Sequence, residues 1–181
     1  MTQLLEQLAV DHANMRQLLE LLEQEVEVEN VALRPNLSLL LDIMQYATDY
    51  PDLFHHPRED ILFARISERE PSTNETVDSL RREHQALAEK GDRLVDVLRN
   101  LINGVTLKHG TLEEGVKDYI AFLRYHMERE EQAVFSRAKD LLHAEDWEAI
   151  DKLVESREDP LFGQSVKSRY RGLHERIKKA S

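Results

Sequence analysis

Two segments of this chain repeat one arrangement suited to metal chemistry. His55 is followed four residues later by Glu59 in Phe54-His55-His56-Pro57-Arg58-Glu59-Asp60, and His126 by Glu130 in His126-Met127-Glu128-Arg129-Glu130. Residues four apart share a helix face, so each pair sets an imidazole beside a carboxylate. His12 and His84 each stand alone in an apolar helical stripe, and the intervals match: 43 residues from His12 to His55, 42 from His84 to His126. A single histidine on such a stripe is more often a satisfied core residue than a ligand. Four histidines with two glutamates are a different matter, because each unsatisfied polar group in a leucine core costs about 1–3 kcal/mol, and a bare carboxylate more. A bound cation removes that cost. Imidazole with carboxylate suits iron, manganese or zinc, whereas calcium and magnesium favour oxygen ligands. Two bridging carboxylates between two pairs of histidines imply two metal ions, with a non-haem di-iron centre the expectation and manganese or zinc the alternatives.

The elements that must position these residues are helices. Leu4, Leu5, Leu8, His12, Met15, Leu18, Leu19, Leu22 and Val26 follow three-and-four spacing, predicting a helix from residue 2 to about 29. Pro35 fits the first turn of a second helix through Leu37, Leu40, Leu41, Met44 and Ala47. Pro51 and Pro57 should kink or break it around Tyr50 to Pro57, before helix resumes to about Arg65. Such irregular backbone would aim His55 and His56 in different directions. A third helix carries Val77, Leu80, His84, Leu87, Leu94 and Leu98 and closes at Asn103-Gly104; Thr111 with Glu114 reads as a capping box for the fourth. The fourth helix turns Val116, Tyr119, Leu123, His126, Glu130 and Val134 inward. A further helix is expected over about 146–157 and a last one from Gly163 or Gln164 onward. The expected fold is therefore all-α: an up-down-up-down antiparallel four-helix bundle over residues 1–143, with one or two C-terminal helices packed on it over 144–181.

The stretch from Phe54 to Phe63, His84 after Glu83, and His126 with Glu130 closely resemble the hemerythrin-like HHE cation-binding domain of the bacterial type, over about residues 4–140. The later Asp146-Trp147 and Asp159-Pro160-Leu161-Phe162-Gly163 segments are similar to bacterial members as well. The resemblance implies that His12 and His55 serve one iron, His84 and His126 the other, and that Glu59 and Glu130 bridge them. There are departures. Oxygen-carrying hemerythrins place two histidines one turn apart on the third helix, where this chain has Leu80 and Ala88 on either side of His84, and they end on His-x-x-x-x-Asp rather than His126 with Glu130. One iron thus lacks a nitrogen. His56 is the first candidate to replace it, since some iron-sensing members place a carboxylate ligand at that position; Tyr50 is a weaker one. Glu131 occupies the aspartate register, but a solvent-facing charge is the expectation there. Phe63, Phe122 and Tyr119 are expected to wall the pocket, though core packing explains them equally well.

Composition narrows the function. The formal charge of -11 argues against nucleic-acid binding. Six of the residues from Val166 to Lys179 are basic against one acid, which reads as a solvated helix able to dock on the acidic body. The absence of cysteine excludes disulfides, zinc-thiolate and iron-sulfur sites. No leader or membrane-spanning run is evident, so a soluble cytoplasmic protein is expected. Two histidines per iron make reversible oxygen carriage the less suited role. Open coordination favours binding or reducing a small diatomic molecule or peroxide: dioxygen, nitric oxide or hydrogen peroxide. The alternatives are a non-enzymatic part in iron or oxygen sensing, iron delivery or stress signalling, and a metal-free helical interaction module. Turnover and binding alone are both compatible with these residues.

Overall fold

The computed structural model describes residues 3–26, 35–155 and 158–180. The end expected for the first helix, at about residue 29, lies outside them. Four antiparallel rods form the bundle: α1 (Gln3–Val26); α2 (Leu37–Tyr50) running through a π-helical turn (Pro51–His55) into α3 (His56–Arg69); α4 (Asn74–Ile102); and α5 (Thr111–Glu130) running through a second π turn (Glu131–Phe135) into α6 (Ser136–Leu141). Rod one packs beside rods two and four, and rod three completes the ring. No strand occurs among the described residues.

Local chemistry sets these boundaries. Asn36 caps α2 by accepting a hydrogen bond from the Leu39 N–H at 3.1 Å, so Pro35 lies just before the helix rather than in its first turn. The kink or break expected at the prolines takes the form of a widened turn, and the rod is not interrupted. The His56 N–H donates to the Pro51 carbonyl five residues back, and Pro57 falls in the opening turn of α3 where a missing donor does least harm. The helix then runs on to Arg69. Gly104, with φ of 86°, closes α4, as the Asn103-Gly104 pair predicts. At the other end of that loop the left-handed Gly110 sits at the N-cap of α5, displacing Thr111 from the capping role its sequence suggests.

The core has two apolar bodies separated by a polar layer. One gathers Leu18, Leu22, Leu40, Met44, Leu98 and Leu123; the other gathers Leu8, Leu62, Phe63, Leu80 and Val134. Each rod crosses the layer once, at His12, at His55 with Glu59, at His84, and at His126 with Glu130. Beyond the bundle, α7 (Ala144–Asp151) is shorter than expected. Its Asp146 is fully buried, 2.7 Å from Arg65 and 2.7 Å from Arg69 of α3. The last helix, α8 (Arg171–Ala180), starts later than expected, after a 3-10 turn at Ser168–Tyr170. It does not stand free in solvent. Leu173 and Ile177 are buried against the bundle, and Arg169 and Arg176 face Asp49 and Glu25 at 3.4 and 3.6 Å.

Candidate metal centre

The polar layer brings His12, His55, Glu59, His84, His126 and Glu130 together, all buried, with both glutamates at 0 % exposure. The glutamates divide their oxygens between two halves. Glu59 Oε1 lies 3.1 Å from His55 Nε2 and 3.7 Å from His12 Nε2, while its Oε2 lies 3.4 Å from His84 Nε2. Glu130 complements it, with Oε2 at 3.4 Å from His12 Nε2 and Oε1 at 3.0 and 3.2 Å from the Nε2 atoms of His84 and His126.

These atoms converge on common points more than on one another. His12 Nε2, His126 Nε2, both Glu59 oxygens and Glu130 Oε2 are buried without a hydrogen-bond partner. Orphaned buried groups of this kind are rare in native interiors, and two groups of candidate ligands, His12 with His55, Glu59 and Glu130, and His56 with His84 and His126, each have donor atoms close enough for a cation to satisfy them. The donor set of imidazole nitrogens and carboxylate oxygens fits a transition metal. Electrostatics point the same way. Burial pushes the Glu59 carboxyl up, but the His55 charge and the His12, His55 and His84 imidazoles hold it well below the usual range. Burial and the Glu59 charge likewise raise Glu130, yet His12, His126 and His84 bring it below the ordinary carboxylate range. Burial lowers His55 and His84, and their carboxylate neighbours outweigh it, leaving each at about 9. Two ionised carboxylates thus draw positive charge into the bundle.

A second layer of carboxylates faces the outer side of the rings. Nδ1 of His12 meets Glu131 at 2.8 Å, that of His55 meets Asp11 at 3.1 Å, and that of His126 meets Glu83 at 3.0 Å. In the neutral tautomer with Nδ1–H donating outward, the one a bound cation would select, each Nε2 presents its lone pair to the centre. Arginines stand behind these acids: Arg16 on Glu131 at 2.7 Å, Arg129 on Glu83, and Arg58 3.7 Å from Asp11. Glu131 is therefore a partner of His12 rather than a purely solvent-facing charge. The pattern crosses helices. Asp11 follows Val10 and precedes His12 but serves His55; Glu83 precedes His84 but serves His126; Glu131 follows Glu130 but serves His12. These acids stand next to His12, His84 and Glu130 in the sequence, but nothing local says which ring each one serves.

His56 also reaches the centre. Its ring stacks on His84 at 3.9 Å and 12°, its Nδ1 meets Asp52 at 3.1 Å, and one nitrogen from each of His56, His84 and His126 falls within 4.8 Å of the others. The Tyr50 hydroxyl instead donates to Asp11 Oδ1 at 3.2 Å. Of the aromatic walls expected, Phe63 stacks on His84, whereas Tyr119 donates to the Ala47 carbonyl and Phe122 lies beneath Lys90. Phe135, unforeseen, stacks on His12 at 5.3 Å. Beside the histidines a cavity of about 20 Å³, walled by Met15, Tyr50, Leu123 and Met127, has room for one water-sized molecule. His109 and His143 are exposed and His174 is half-buried.

Fold and site together define an all-α bundle with an internal histidine–carboxylate cation site. The hemerythrin HHE cation binding domain matches residues 3–138, three quarters of the chain, and the protein belongs to that family. No curated protein and no solved structure matches it. No described helix is long and apolar enough to cross a membrane.

Proposed function

We propose that the chain holds two iron ions at this layer and uses them to bind or reduce a small oxygen or nitrogen species: peroxide, nitric oxide or dioxygen. The observation that carries the reading is the division of oxygens, one from each glutamate to each histidine pair. His12 and His55 serve one ion, His84 and His126 the other, and Glu59 and Glu130 bridge them. His56 is the third nitrogen on the second ion, taking the place left by Leu80 and Ala88. Iron bound there supplies open coordination and one-electron redox chemistry.

The chain's own residues supply the rest. Asp11, Glu83 and Glu131 fix the tautomer and aim of three rings. Met15, Leu123 and Met127 make an apolar wall that limits the ligand to a few atoms. Metal analysis with an absorption spectrum before and after peroxide, nitric oxide and dioxygen tests the proposal. Two irons per chain, lost in Glu59→Ala and Glu130→Ala, with turnover of peroxide or nitric oxide, is the expected result. Reversible uptake of one dioxygen would instead make it a carrier, and a metal-dependent change of shape without turnover a sensor. Unchanged metal content in His126→Ala would leave a helical interaction module.

A further inference from the structure

Two tyrosines lead away from the centre along an unbroken buried path. Asp11 accepts from the Tyr50 hydroxyl at 3.2 Å through Oδ1 while its Oδ2 meets His55 Nδ1 at 3.1 Å. A single carboxylate thus joins the phenol to a histidine of the site. The Tyr50 ring borders the small cavity and stacks on Tyr46 at 5.3 Å and 6°, close to parallel. Tyr46, 1 % exposed, donates in turn to Asp159 Oδ2 at 2.7 Å. Asp159 lies beyond residue 138, where the family match ends, and is held by the N–H groups of Leu161 and Phe162.

A core that needed only two rings here could use phenylalanine and avoid burying hydroxyls and carboxylates together. Each phenol is instead paired with its own proton acceptor. Burial raises both hydroxyls above the ordinary tyrosine range, which keeps the phenols neutral, and each has a carboxylate in place to take the proton when an electron leaves. Burial also raises Asp159, strengthening it as an acceptor.

We propose that Tyr50 and Tyr46 are one-electron donors to the metal centre, used when hydrogen peroxide arrives and no other reductant is at hand. This rests on the metal reading above. Tyr50 gives up one electron toward the site and its phenolic proton to Asp11; Tyr46 gives one electron through Tyr50 and its proton to Asp159. Peroxide is reduced and the tyrosines are oxidised. It takes up two electrons and two protons as its O–O bond breaks; Asp11 and Asp159 release the phenolic protons to solvent and solvent supplies two to the peroxide oxygens, so in sum one peroxide and two phenols yield two waters and two neutral phenoxyl radicals.

The test is freeze-quench electron paramagnetic resonance of the iron-loaded full-length protein, oxidised to the ferric state and then mixed with hydrogen peroxide, with iron measured on the same samples. An organic radical whose splittings change on incorporation of ring-deuterated tyrosine is expected. Tyr50→Phe should abolish it, Tyr46→Phe should leave a signal of altered shape on Tyr50, and Tyr119→Phe should leave it unchanged, since the Tyr119 hydroxyl meets a carbonyl rather than a carboxylate. Iron-loaded wild type without a tyrosyl radical overturns the proposal, as does a signal undiminished in Tyr50→Phe at equal iron content. If the wild type takes up no iron, the metal reading fails and this one with it. The deuterium experiment needs no variant, so a poorly folded Tyr50→Phe protein does not protect the idea.

Discussion

At the scale of single residues, the outer carboxylates carry the sharpest expectations. Glu131→Gln keeps the shape at His12 but removes the charge that accepts from Nδ1. Metal affinity should fall by about 10- to 100-fold, measured by competition with a chelator, while the circular dichroism of the protein stays unchanged. On the proposed two-ion reading, His56→Ala should weaken one metal site and leave the other. Titration with ferrous iron then shows two separated binding phases where the wild type shows tightly matched ones, and a single unaltered isotherm would remove His56 from the ligand set. His109→Ala, on an exposed turn, is the control. The residues with chemistry were largely legible in sequence because imidazoles and carboxylates on apolar stripes are costly without a partner. Asp11, Glu83 and Asp52 were not, since an acid beside a charged segment is ordinary on any helix surface.

At the scale of elements, the two π turns and one helix crossing matter most. The turn at Pro51–His55 adds a residue to the helical circuit, so His55 and the adjacent His56 both reach the polar layer. Pro51 and Pro57 suggested a kink or break, because the rule for proline counts the lost donor but not the i to i−5 hydrogen bond that carries the rod through. Rod three crosses α2 closely, with Gly91 against the Thr48 side chain. A methyl at position 91 would collide with Thr48 Cγ2, and Thr48 cannot turn away freely while its hydroxyl donates to the Met44 carbonyl at 3.1 Å. Gly91→Ala should therefore destabilise the protein by about 1–2 kcal/mol in urea unfolding, despite the better helix propensity of alanine. Adding Thr48→Ser removes the colliding methyl and should restore most of the loss. Additive effects of the two substitutions would contradict the crossing.

For the whole molecule, the question is how the C-terminal segment joins the bundle. Asp146 on α7 is bound by Arg65 and Arg69 and accepts from the His143 N–H at 2.9 Å. Burial works to raise its carboxyl, but Arg69, the His143 N–H and Arg65 bring it from 3.8 down to about 2. Because the folded value is the lower one, this contribution to stability is full above about pH 4 and is lost as the pH falls through about 2. Asp146→Asn should lower stability by about 1–3 kcal/mol at neutral pH, and the gap between variant and wild type should narrow in acid. A gap independent of pH between 5 and 2 would assign the loss to packing instead. At the other end Asp159, Leu161, Leu173 and Ile177 fill the core around Tyr46, so groups outside the family match help to build the surroundings of the centre.

The sequence by itself determined the helices, the bundle and the residues able to hold a metal, because periodicity and residue type are local properties of the chain. It could not decide which oxygen of Glu59 or Glu130 faces which histidine pair. Nor could it match His12 with Glu131, 119 residues away, or connect Tyr46 to Asp159 across 113. Those contacts depend on how far each rod is rotated and shifted against its neighbours. That is fixed by packing the two apolar bodies on either side of the polar layer, and only the tertiary structure expresses it.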